Sequence, residues 1–282
     1  MRTEVITSAQ NPKIKNLLLL QEKSKARREQ GLFVVEGRRE LEHCLEAGFT
    51  VKTLFICPGI AETTEFVENY FLCGSPKNQF STNSQTNDIE SVASIIEIPE
   101  ALYRKVAYRE STEGIIAEVE YKSLTLEELR LPDNPLVMVL ESVEKPGNLG
   151  AVLRSADAAG VDAVIFCDPL TDLYNPNLIR ASIGAVFTVP TVLASSQEAI
   201  AFLQERGIQI LTAQLQDPSL YYDIDMRRGT ALVMGTEATG LTDLWRKAAS
   251  AHIRIPMLGQ LDSLNVSVSA AILLFEAVRQ RQ

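Results

Sequence analysis

The sequence is poor in the residues that build metal sites and disulfide frameworks. Its two histidines, His43 and His252, lie far apart along the chain, so a zinc site is not expected. The cysteines form no Cys-x-x-Cys pair and lie within apolar stretches, which indicates free thiols in a reducing compartment. They are Cys44, Cys57, Cys73 and Cys167. We therefore expect a protein that binds no metal.

Long hydrophobic runs are also missing. No apolar stretch reaches the roughly 18 residues that a membrane span needs, and the first thirty residues lack the apolar core and cleavage site of a signal peptide. Hydrophobic residues make up 46% of the chain and charged residues 22%, values typical of a folded globular protein. We expect a cytoplasmic protein that does not contact a membrane.

The common glycine-rich phosphate-binding loops are absent. None of the 15 glycines forms a Gly-x-Gly pair, and none is followed by Lys-Ser or Lys-Thr. These absences exclude the Rossmann fingerprint and the Walker loop. A nucleotide-like ligand would have to be held in another way.

The charge is unevenly distributed. The net charge is −9, but residues 1–39 carry nine Lys or Arg against four Glu, a balance of +5 that leaves −14 for the rest. A basic N-terminal region on an acidic body is typical of local contact with nucleic acid. A solvated helix face explains the same charges equally well.

The first 120 residues predict a small α/β unit. Asn11-Pro12 is typical of a helix start, because Asn caps the first turn and Pro lacks the N–H group that would be unsatisfied there. We expect this helix to run to about Glu29 and to stop near Gly31. The other predicted elements are strands at Phe33–Val35, Val51–Cys57, Ser94–Ile98 and Gly114–Val119, and helices from Glu36-Gly37 to Gly48 and over Glu62–Phe71.

Residues 135–282 predict a larger unit, joined to the first by a polar linker over 121–134. Strands that are apolar at nearly every position indicate a parallel sheet with helices on both faces. Ligands of such sheets bind beyond the carboxyl ends of the strands. The strands expected are Leu136–Leu140, Ala163–Cys167, Phe187–Val189, Ile208–Thr212, Ala231–Met234 and Ile253–Ile255, and the helices are Asn148–Ala159, one from Asn175-Pro176, Gln197–Arg206 and Val266–Arg279.

Three segments of this second unit follow predicted strands and carry small or polar residues. We interpret Asn148 as a helix N-cap and Arg154 as a side chain that projects from the same helix nearly two turns later. Taken alone, each segment also fits an ordinary capped helix or surface turn. The segments are Lys145-Pro-Gly-Asn-Leu-Gly-Ala-Val-Leu-Arg-Ser-Ala156, Met234-Gly-Thr-Glu-Ala-Thr-Gly240, and Ile255-Pro-Met257 with Ser263-Leu-Asn-Val-Ser267.

In this order, the segments resemble the three motifs of the SpoU/TrmH branch of the SPOUT methyltransferases. The resemblance is strong over about 135–282, and Asn11-Pro12 and Glu36-Gly37 resemble the N-terminal substrate-binding domain of ribosomal-RNA members. It implies methyl transfer from S-adenosylmethionine to a ribose 2′-hydroxyl of RNA, with 23S-type ribosomal RNA as the substrate. It further implies an α/β sandwich domain, a parallel sheet with a trefoil knot, and a homodimer.

The resemblance also assigns residues. Those aligned with catalytic positions are Asn148, Arg154, Glu237, Ser263 and Asn265, and those aligned with cofactor positions are Met234, Gly235, Ile255, Met257, Gly259 and Leu264. No metal is needed. Many relatives have Asp where this chain has Lys145, a cation that could meet an RNA phosphate or mark a subfamily.

Arg154 is the residue to which the family gives the proton-abstracting role. A guanidinium normally stays protonated and accepts no hydrogen bond. We therefore expect Arg154 to orient a phosphate and to stabilise negative charge on the ribose oxygen, with Asn148 and Glu237 positioning it and the ribose. Whether it ever acts as a true base stays open.

Three other functions compete with this one. Transfer RNA could replace ribosomal RNA as the substrate, although the extra N-terminal domain favours ribosomal RNA. A non-catalytic RNA-binding protein could share the fold, but the five polar residues of the motifs occur together. An α/β enzyme acting on a nucleotide or phosphorylated metabolite would have to bind phosphate without a glycine-rich loop.

Overall fold

The computed structural model describes residues 3–60, 66, 67, 71, 94–108, 113–214, 218–236 and 239–282. The chain divides into two compact units, Met1–Lys122 and Ser123–Gln282. Cys73 and most of the helix expected over Glu62–Phe71 lie outside the described residues. Within these described ranges, no helix has the length and apolar character that a membrane span requires.

The first unit is a mixed sheet with helices. Its described elements are β1 (Thr3–Val5), α1 (Pro12–Glu22), α2 (Ser24–Gln30), β2 (Leu32–Glu36), α3 (Arg38–Glu46), β3 (Val51–Ile56), β4 (Ser94–Glu97), α4 (Glu100–Val106) and β5 (Ile115–Glu120). The strand order is β1-β4-β3-β5-β2. β1 and β3 run parallel to β4, whereas β5 runs antiparallel to β2 and β3. An α/β unit is therefore present, as the alternation of elements predicts.

Residues 12–30 form two helices, so the expectation of a single helix is wrong. The backbone is extended at Lys23, with φ −112° and ψ 110°. The buried guanidinium of Arg27 donates a hydrogen bond to the Leu20 carbonyl at 2.7 Å, which satisfies an acceptor at the end of α1. The second helix ends at Gly31, whose positive φ of 63° is the left-handed conformation that suits glycine.

The second unit contains a seven-stranded sheet in the order β10-β12-β9-β11-β6-β7-β8, and every described strand pair in it is parallel. Its elements are β6 (Leu136–Glu141), α5 (Pro146–Ala158), β7 (Ala163–Cys167), α6 (Pro176–Ser182), α7 (Ala185–Thr188), β8 (Thr191–Ala194), α8 (Ser196–Glu205), β9 (Gln209–Ala213), β10 (Ser219–Leu220), β11 (Thr230–Met234), α9 (Asp243–Ala248), β12 (Ala251–Arg254) and α10 (Val266–Arg281). The predicted parallel sheet is confirmed.

Helices cover both faces of this sheet. Val137 of β6 belongs to a buried cluster with Leu203 of α8 and Trp245 of α9. The next residue, Met138, points to the opposite face and is also fully buried. Burial on both faces explains why this strand is apolar at successive positions.

The strand expected at Phe187–Val189 is wrong. Phe187 lies in α7, which begins after Gly184 at a positive φ of 85°. The strand of this region is β8, and it begins after Pro190, whose carbonyl accepts a hydrogen bond from the Val164 N–H at 2.9 Å. Proline has no N–H group for a ladder, so pairing starts at this point of the chain.

The segment 121–134, which the sequence suggests is a linker, belongs mostly to the second unit. From Ser123 onward it belongs to the second unit. Leu126 and Leu129 are buried in the same cluster as Trp245. The boundary between the compact units therefore lies near Lys122, before most of the polar segment.

Candidate active site at the carboxyl edge of the parallel sheet

The three sequence segments meet at one edge of the sheet. Because the strands are parallel, the carboxyl ends of β6, β11 and β12 lie at the same edge, and each of them leads into one segment. β11 is paired directly with β6, with Met234 opposite Leu140. The edge thus collects residues that are more than one hundred positions apart in the sequence.

Asn148 and Asn265 join the first segment to the third. The Asn265 Nδ2 group donates a hydrogen bond to Asn148 Oδ1 at 3.2 Å. Asn265 is also the N-cap of α10, because its Oδ1 accepts from the Ser267 N–H at 3.0 Å. The interpretation of Asn148 as an N-cap is wrong. Lys145 holds that position and Pro146 follows it, so Asn148 lies inside the first turn of α5.

Arg154 projects from the same helix into solvent. Its neighbours Val152 and Leu153 are fully buried and fix the orientation of the helix. Arg154 itself is exposed, and no described residue forms a hydrogen bond or ion pair with it. Its five donor groups are therefore directed to solvent or to a ligand rather than to the described part of the fold.

Gly235 begins a closed loop after β11. A Cβ atom at this position would lie 2.3 Å from both the carbonyl carbon and the oxygen of Gly240, too close for any side chain. Thr236 and Gly240 exchange backbone hydrogen bonds of 3.3 and 3.0 Å. The close approach of the Gly240 backbone therefore requires glycine at position 235, whether or not a ligand contacts this loop. Glu237 lies outside the described residues.

The third segment exposes apolar side chains next to polar ones. Leu258, Leu261 and Leu264 are 97%, 78% and 40% exposed. The Ser263 hydroxyl is exposed and donates to Asp262 Oδ1 at 3.1 Å. These groups can offer apolar contact and hydrogen bonds to one amphipathic ligand. The remaining predicted residues of this segment are the half-buried Ile255 and Met257 and the exposed Gly259.

Comparison with known proteins assigns this arrangement to a family. Residues 135–275, half of the chain, match the SpoU rRNA Methylase family. The chain belongs to the SpoU rRNA methylase family. Residues 11–117 match the MRM3-like substrate binding domain, so the family match and this domain match cover most of both units.

Curated SpoU-family relatives align over much of the chain. It is 28% identical over 275 residues to 23S rRNA (guanosine(2553)-2′-O)-methyltransferase RlmP of Bacillus subtilis, covering 96% of this chain and 97% of that protein. It is 35% identical over 228 residues to 23S rRNA (guanosine-2′-O-)-methyltransferase RlmB of Vibrio vulnificus, covering 78% and 91% respectively.

Solved structures of similar enzymes superimpose on both units. A crystal structure of an RNA 2′-O ribose methyltransferase has a TM-score of 0.80 and 38% identity, covering 98% of this chain and 99% of that one. The AdoMet-bound rRNA methyltransferase of Sinorhizobium meliloti has a TM-score of 0.83 and 27% identity, covering 98% of both chains. The resemblance inferred from the three motifs is confirmed.

A buried polar group that the sequence motifs do not indicate lies at the same edge of this SpoU-family sheet. Glu141, the last residue of β6, is 3% exposed and accepts hydrogen bonds from Thr242 and Ser196. The available signal was a carboxylate that directly follows five apolar strand residues.

The thiol of Cys167 is also buried at this edge. Burial raises its pKa, and the nearby carboxylates of Asp168 and Glu141 raise it further. A protonated core thiol agrees with the expectation of free cysteines within apolar stretches. Among the residues that the structure covers, no group of three or more His, Cys, Asp or Glu side chains could hold a metal ion.

Proposed function

We propose that this chain methylates the 2′-hydroxyl of a guanosine ribose in 23S ribosomal RNA, with S-adenosylmethionine as the donor. Both curated relatives described above are named for 23S rRNA guanosine-2′-O-methylation, and one similar structure is AdoMet-bound. The observation that carries the proposal is the Asn148–Asn265 hydrogen bond, because it joins the third motif to the helix that bears both Asn148 and Arg154.

The cofactor is proposed to lie along the exits of β11 and β12. An adenosine-containing ligand needs backbone hydrogen-bonding groups beside apolar surface. Gly235 and Ile255 would supply the backbone groups, and the partly exposed Leu264 would supply apolar contact. The residues present therefore fit the group. When bound, S-adenosylmethionine supplies a methyl group that its sulfonium sulfur has already activated. The remaining proposed contacts are Met234, Met257 and Gly259.

Arg154 is proposed to bind a phosphate next to the target ribose and to stabilise the charge that develops on the 2′-oxygen. Its exposure and its lack of a described partner support this role. Asn148, Asn265 and Ser263 would orient the ribose hydroxyl by hydrogen bonds. Glu237 is proposed, on the resemblance alone, to position Arg154. Holding the two reactants in line is the main catalytic contribution of such a site.

The direct test is to map 2′-O-methylated nucleotides in the ribosomal RNA of cells with and without this gene. We expect one guanosine of 23S rRNA to lose its methyl group when the gene is deleted and to regain it when the gene is restored. An unchanged 23S rRNA map would contradict the proposed substrate. Loss of a methyl group from transfer RNA instead would identify the alternative substrate.

A homodimer is proposed from an apolar surface on α10. Val268 and Phe275 are 47% and 48% exposed and lie seven residues apart, on one face of the helix. Leu264, which is 40% exposed, lies just before this helix, next to its N-cap Asn265. A second copy covering this face would bury these side chains beside the proposed site.

Light scattering of the purified chain tests the dimer. We expect a dimer for the wild type and for Leu170→Asp, which alters an exposed leucine elsewhere (63% exposed). Phe275→Asp should yield a monomer with little methyl transfer. A wild-type enzyme that is monomeric and fully active would contradict the proposal.

The unit comprising residues 1–120 is proposed to recognise the RNA, with 135–282 as the methyltransferase unit. The match to a substrate binding domain and the excess of five positive charges in residues 1–39 support this division. Sequence-specific proteins usually read unpaired loops and bulges in RNA. With a ribosomal substrate, we also propose that the protein works in the cytoplasm.

A further inference from the structure

A buried carboxylate lies beside the proposed site without belonging to it. Glu141 is 3% exposed, and among the residues described here no Lys, Arg or His forms an ion pair with it. Burying a carboxylate without a cation is costly unless its oxygens accept hydrogen bonds. The partners of Glu141 therefore indicate what its charge does.

Thr242 provides the strongest of these hydrogen bonds. Its backbone N–H donates to Glu141 Oε2 at 2.8 Å, and its hydroxyl donates to Oε1 at 2.7 Å. The Ser196 hydroxyl lies farther away, at 3.3 Å, and its single proton also has Asp168 Oδ2 at 2.6 Å as an acceptor. The carboxylate thus depends mainly on Thr242.

Thr242 does not use its side chain as helix N-caps usually do. It holds the N-cap position of α9, but its side chain accepts no hydrogen bond from the first turn. An N-cap threonine normally accepts from a backbone N–H two or three residues later. Here the hydroxyl donates to Glu141 instead, so the contact fixes Thr242 to the end of β6 rather than to its own helix.

Thr242 also directly follows the second-motif loop, of which the structure describes Gly235, Thr236 and residues 239–241. This loop begins at Gly235, directly after β11, which is paired with β6. The chain after it returns to the sheet at Thr242, which Glu141 ties to β6. Both ends of the loop are therefore fixed to the same strand, while the exchange between Thr236 and Gly240 closes it in between.

We propose that Glu141 is a positioning residue that acts through Thr242 to hold the backbone of Gly240 and Leu241 against Gly235, where S-adenosylmethionine is proposed to bind. The inference rests on the proposed cofactor position at Gly235. Glu141 acts on the ligand through the backbone of the loop, by fixing where it returns to the sheet. Loss of the contact should weaken cofactor binding and leave RNA binding unchanged.

Trp245 offers an internal control on the integrity of α9. Its indole is fully buried, and Nε1 donates to the Ser196 hydroxyl at 3.0 Å. It is the only tryptophan in the sequence. Its fluorescence therefore reports whether α9 remains packed when Thr242 is changed.

The test compares Thr242→Val with the wild type by calorimetric titration with S-adenosylmethionine. Because Thr242 is exposed at the surface, the variant should fold. Loss of a hydrogen bond to a charged group should weaken cofactor binding about tenfold, with an unchanged KM for RNA and unchanged Trp245 emission. Glu141→Gln, which can keep these contacts only as weaker neutral hydrogen bonds, should show a smaller loss in the same direction, whereas Thr242→Ser, which keeps the hydroxyl, should bind as the wild type does.

Thr188→Val is the matched control. Thr188 is also an exposed threonine whose hydroxyl donates to a carboxylate, that of Asp157 at 2.9 Å, but it lies at the end of α7. The cofactor affinity of Thr188→Val should equal that of the wild type. If Thr242→Val also bound the cofactor as tightly as the wild type, or if Trp245 in that variant emitted as an exposed indole, the inference would be overturned. The proposed function would stand in either case. A wild-type protein that shows no binding would instead refute the proposed function.

Discussion

The side-chain amide of Asn265 donates a hydrogen bond to Asn148 Oδ1 at 3.2 Å, across 117 positions of sequence. The bond joins the start of α10 to the first turn of α5. The other end of the Asn265 amide, Oδ1, accepts hydrogen bonds from the N–H and the hydroxyl of Ser267. Asn265 therefore has two structural roles that substitution can separate.

Asn265→Asp should retain the helix cap and lose the link to Asn148. A carboxylate still accepts from the Ser267 N–H, but it has no donor to offer Asn148. We expect the rate of methyl transfer to fall about tenfold, the effect of one hydrogen bond of about 1.5 kcal/mol, with little change in melting temperature. Radiolabelled methyl transfer and thermal unfolding measure the two effects.

The matched control for this variant is Asn175→Asp. Asn175 also caps a helix, with Oδ1 accepting from the Asn177 N–H at 2.9 Å, but it lies outside the proposed site. Its activity should remain at the wild-type level. Equal activities for the two variants would show that the Asn148–Asn265 bond does not serve catalysis.

Gly235→Ala should open the second-motif loop. The added Cβ would lie 2.3 Å from the Gly240 carbonyl and 2.6 Å from the Leu241 nitrogen, so the backbone must move. We expect a loss of about 1–3 kcal/mol in stability, the usual cost of overpacking, and greatly weakened binding of S-adenosylmethionine. Gly59→Ala, with no atom within 4 Å of the added Cβ, should change neither quantity. Wild-type cofactor affinity in Gly235→Ala would contradict the proposed cofactor position.

Arg281 should be a major source of stability in the second unit. Its guanidinium anchors the end of α10 by donating to four backbone carbonyls that precede β6 and β11. These are Asn134 at 2.8 Å, Pro135 at 3.0 Å, Met226 at 2.9 Å and Arg228 at 2.8 Å. Arg281→Met should lower the free energy of unfolding by about 2–3 kcal/mol, because four hydrogen bonds from a charged donor are lost at once. Denaturant unfolding measures the loss.

Arg279→Met is the comparison for that prediction. The Arg279 side chain is 68% exposed and pairs at 2.8 Å with Glu276, three residues earlier on the same helix, and helix ion pairs of this spacing contribute less than about 1 kcal/mol. If Arg279→Met lost as much stability as Arg281→Met, the carbonyl contacts of Arg281 would not explain the effect of the Arg281 substitution.

Glu118 should make the stability of the first unit depend on pH. Burial raises the pKa of Glu118, and hydrogen bonds from Thr53 and Asn16 offset this only in part. The folded state then holds the proton more tightly than the unfolded state, so stability falls as the pH rises from below the ordinary glutamate pKa through the raised value.

Glu118→Gln should remove this pH dependence. The variant should match the wild type near pH 4 and exceed its melting temperature at pH 7. Thermal unfolding over that range tests the prediction, with Glu120→Gln, an exposed carboxylate of the same strand, as the control that should follow the wild-type curve. A wild type that gains stability from pH 4 to pH 7 relative to Glu118→Gln would contradict it.

Long apolar strands made the fold of the second unit predictable. Leu136–Leu140 and Ala163–Cys167 are apolar at every position, and only a sheet buried on both faces explains such runs. Shorter elements carry no comparable signal. β10 has two residues and α9 six, so tertiary pairing rather than local sequence defines them. The trefoil knot stays a prediction from the resemblance, because periodicity carries no information on threading.

The site was predictable at the level of motifs but not of contacts. The spacing of Asn148 and Arg154 on one helix could be read directly. The packing of Gly150 could not: a Cβ there would lie 2.6 Å from both the Ala181 Cβ and the Leu178 carbonyl, so this glycine serves helix contact with α6 rather than ligand approach. Glu141 was missed because its importance depends on Thr242, which only the fold brings next to it.

Arg154→Ala tests the central claim most directly, in an assay of methyl transfer from labelled S-adenosylmethionine to 23S rRNA alongside calorimetric binding of the cofactor. The account predicts that transfer falls by a factor of about 100 or more, as for other lost transition-state contacts, while cofactor affinity and melting temperature stay at wild-type values. Methyl transfer by Arg154→Ala at the wild-type rate would contradict it.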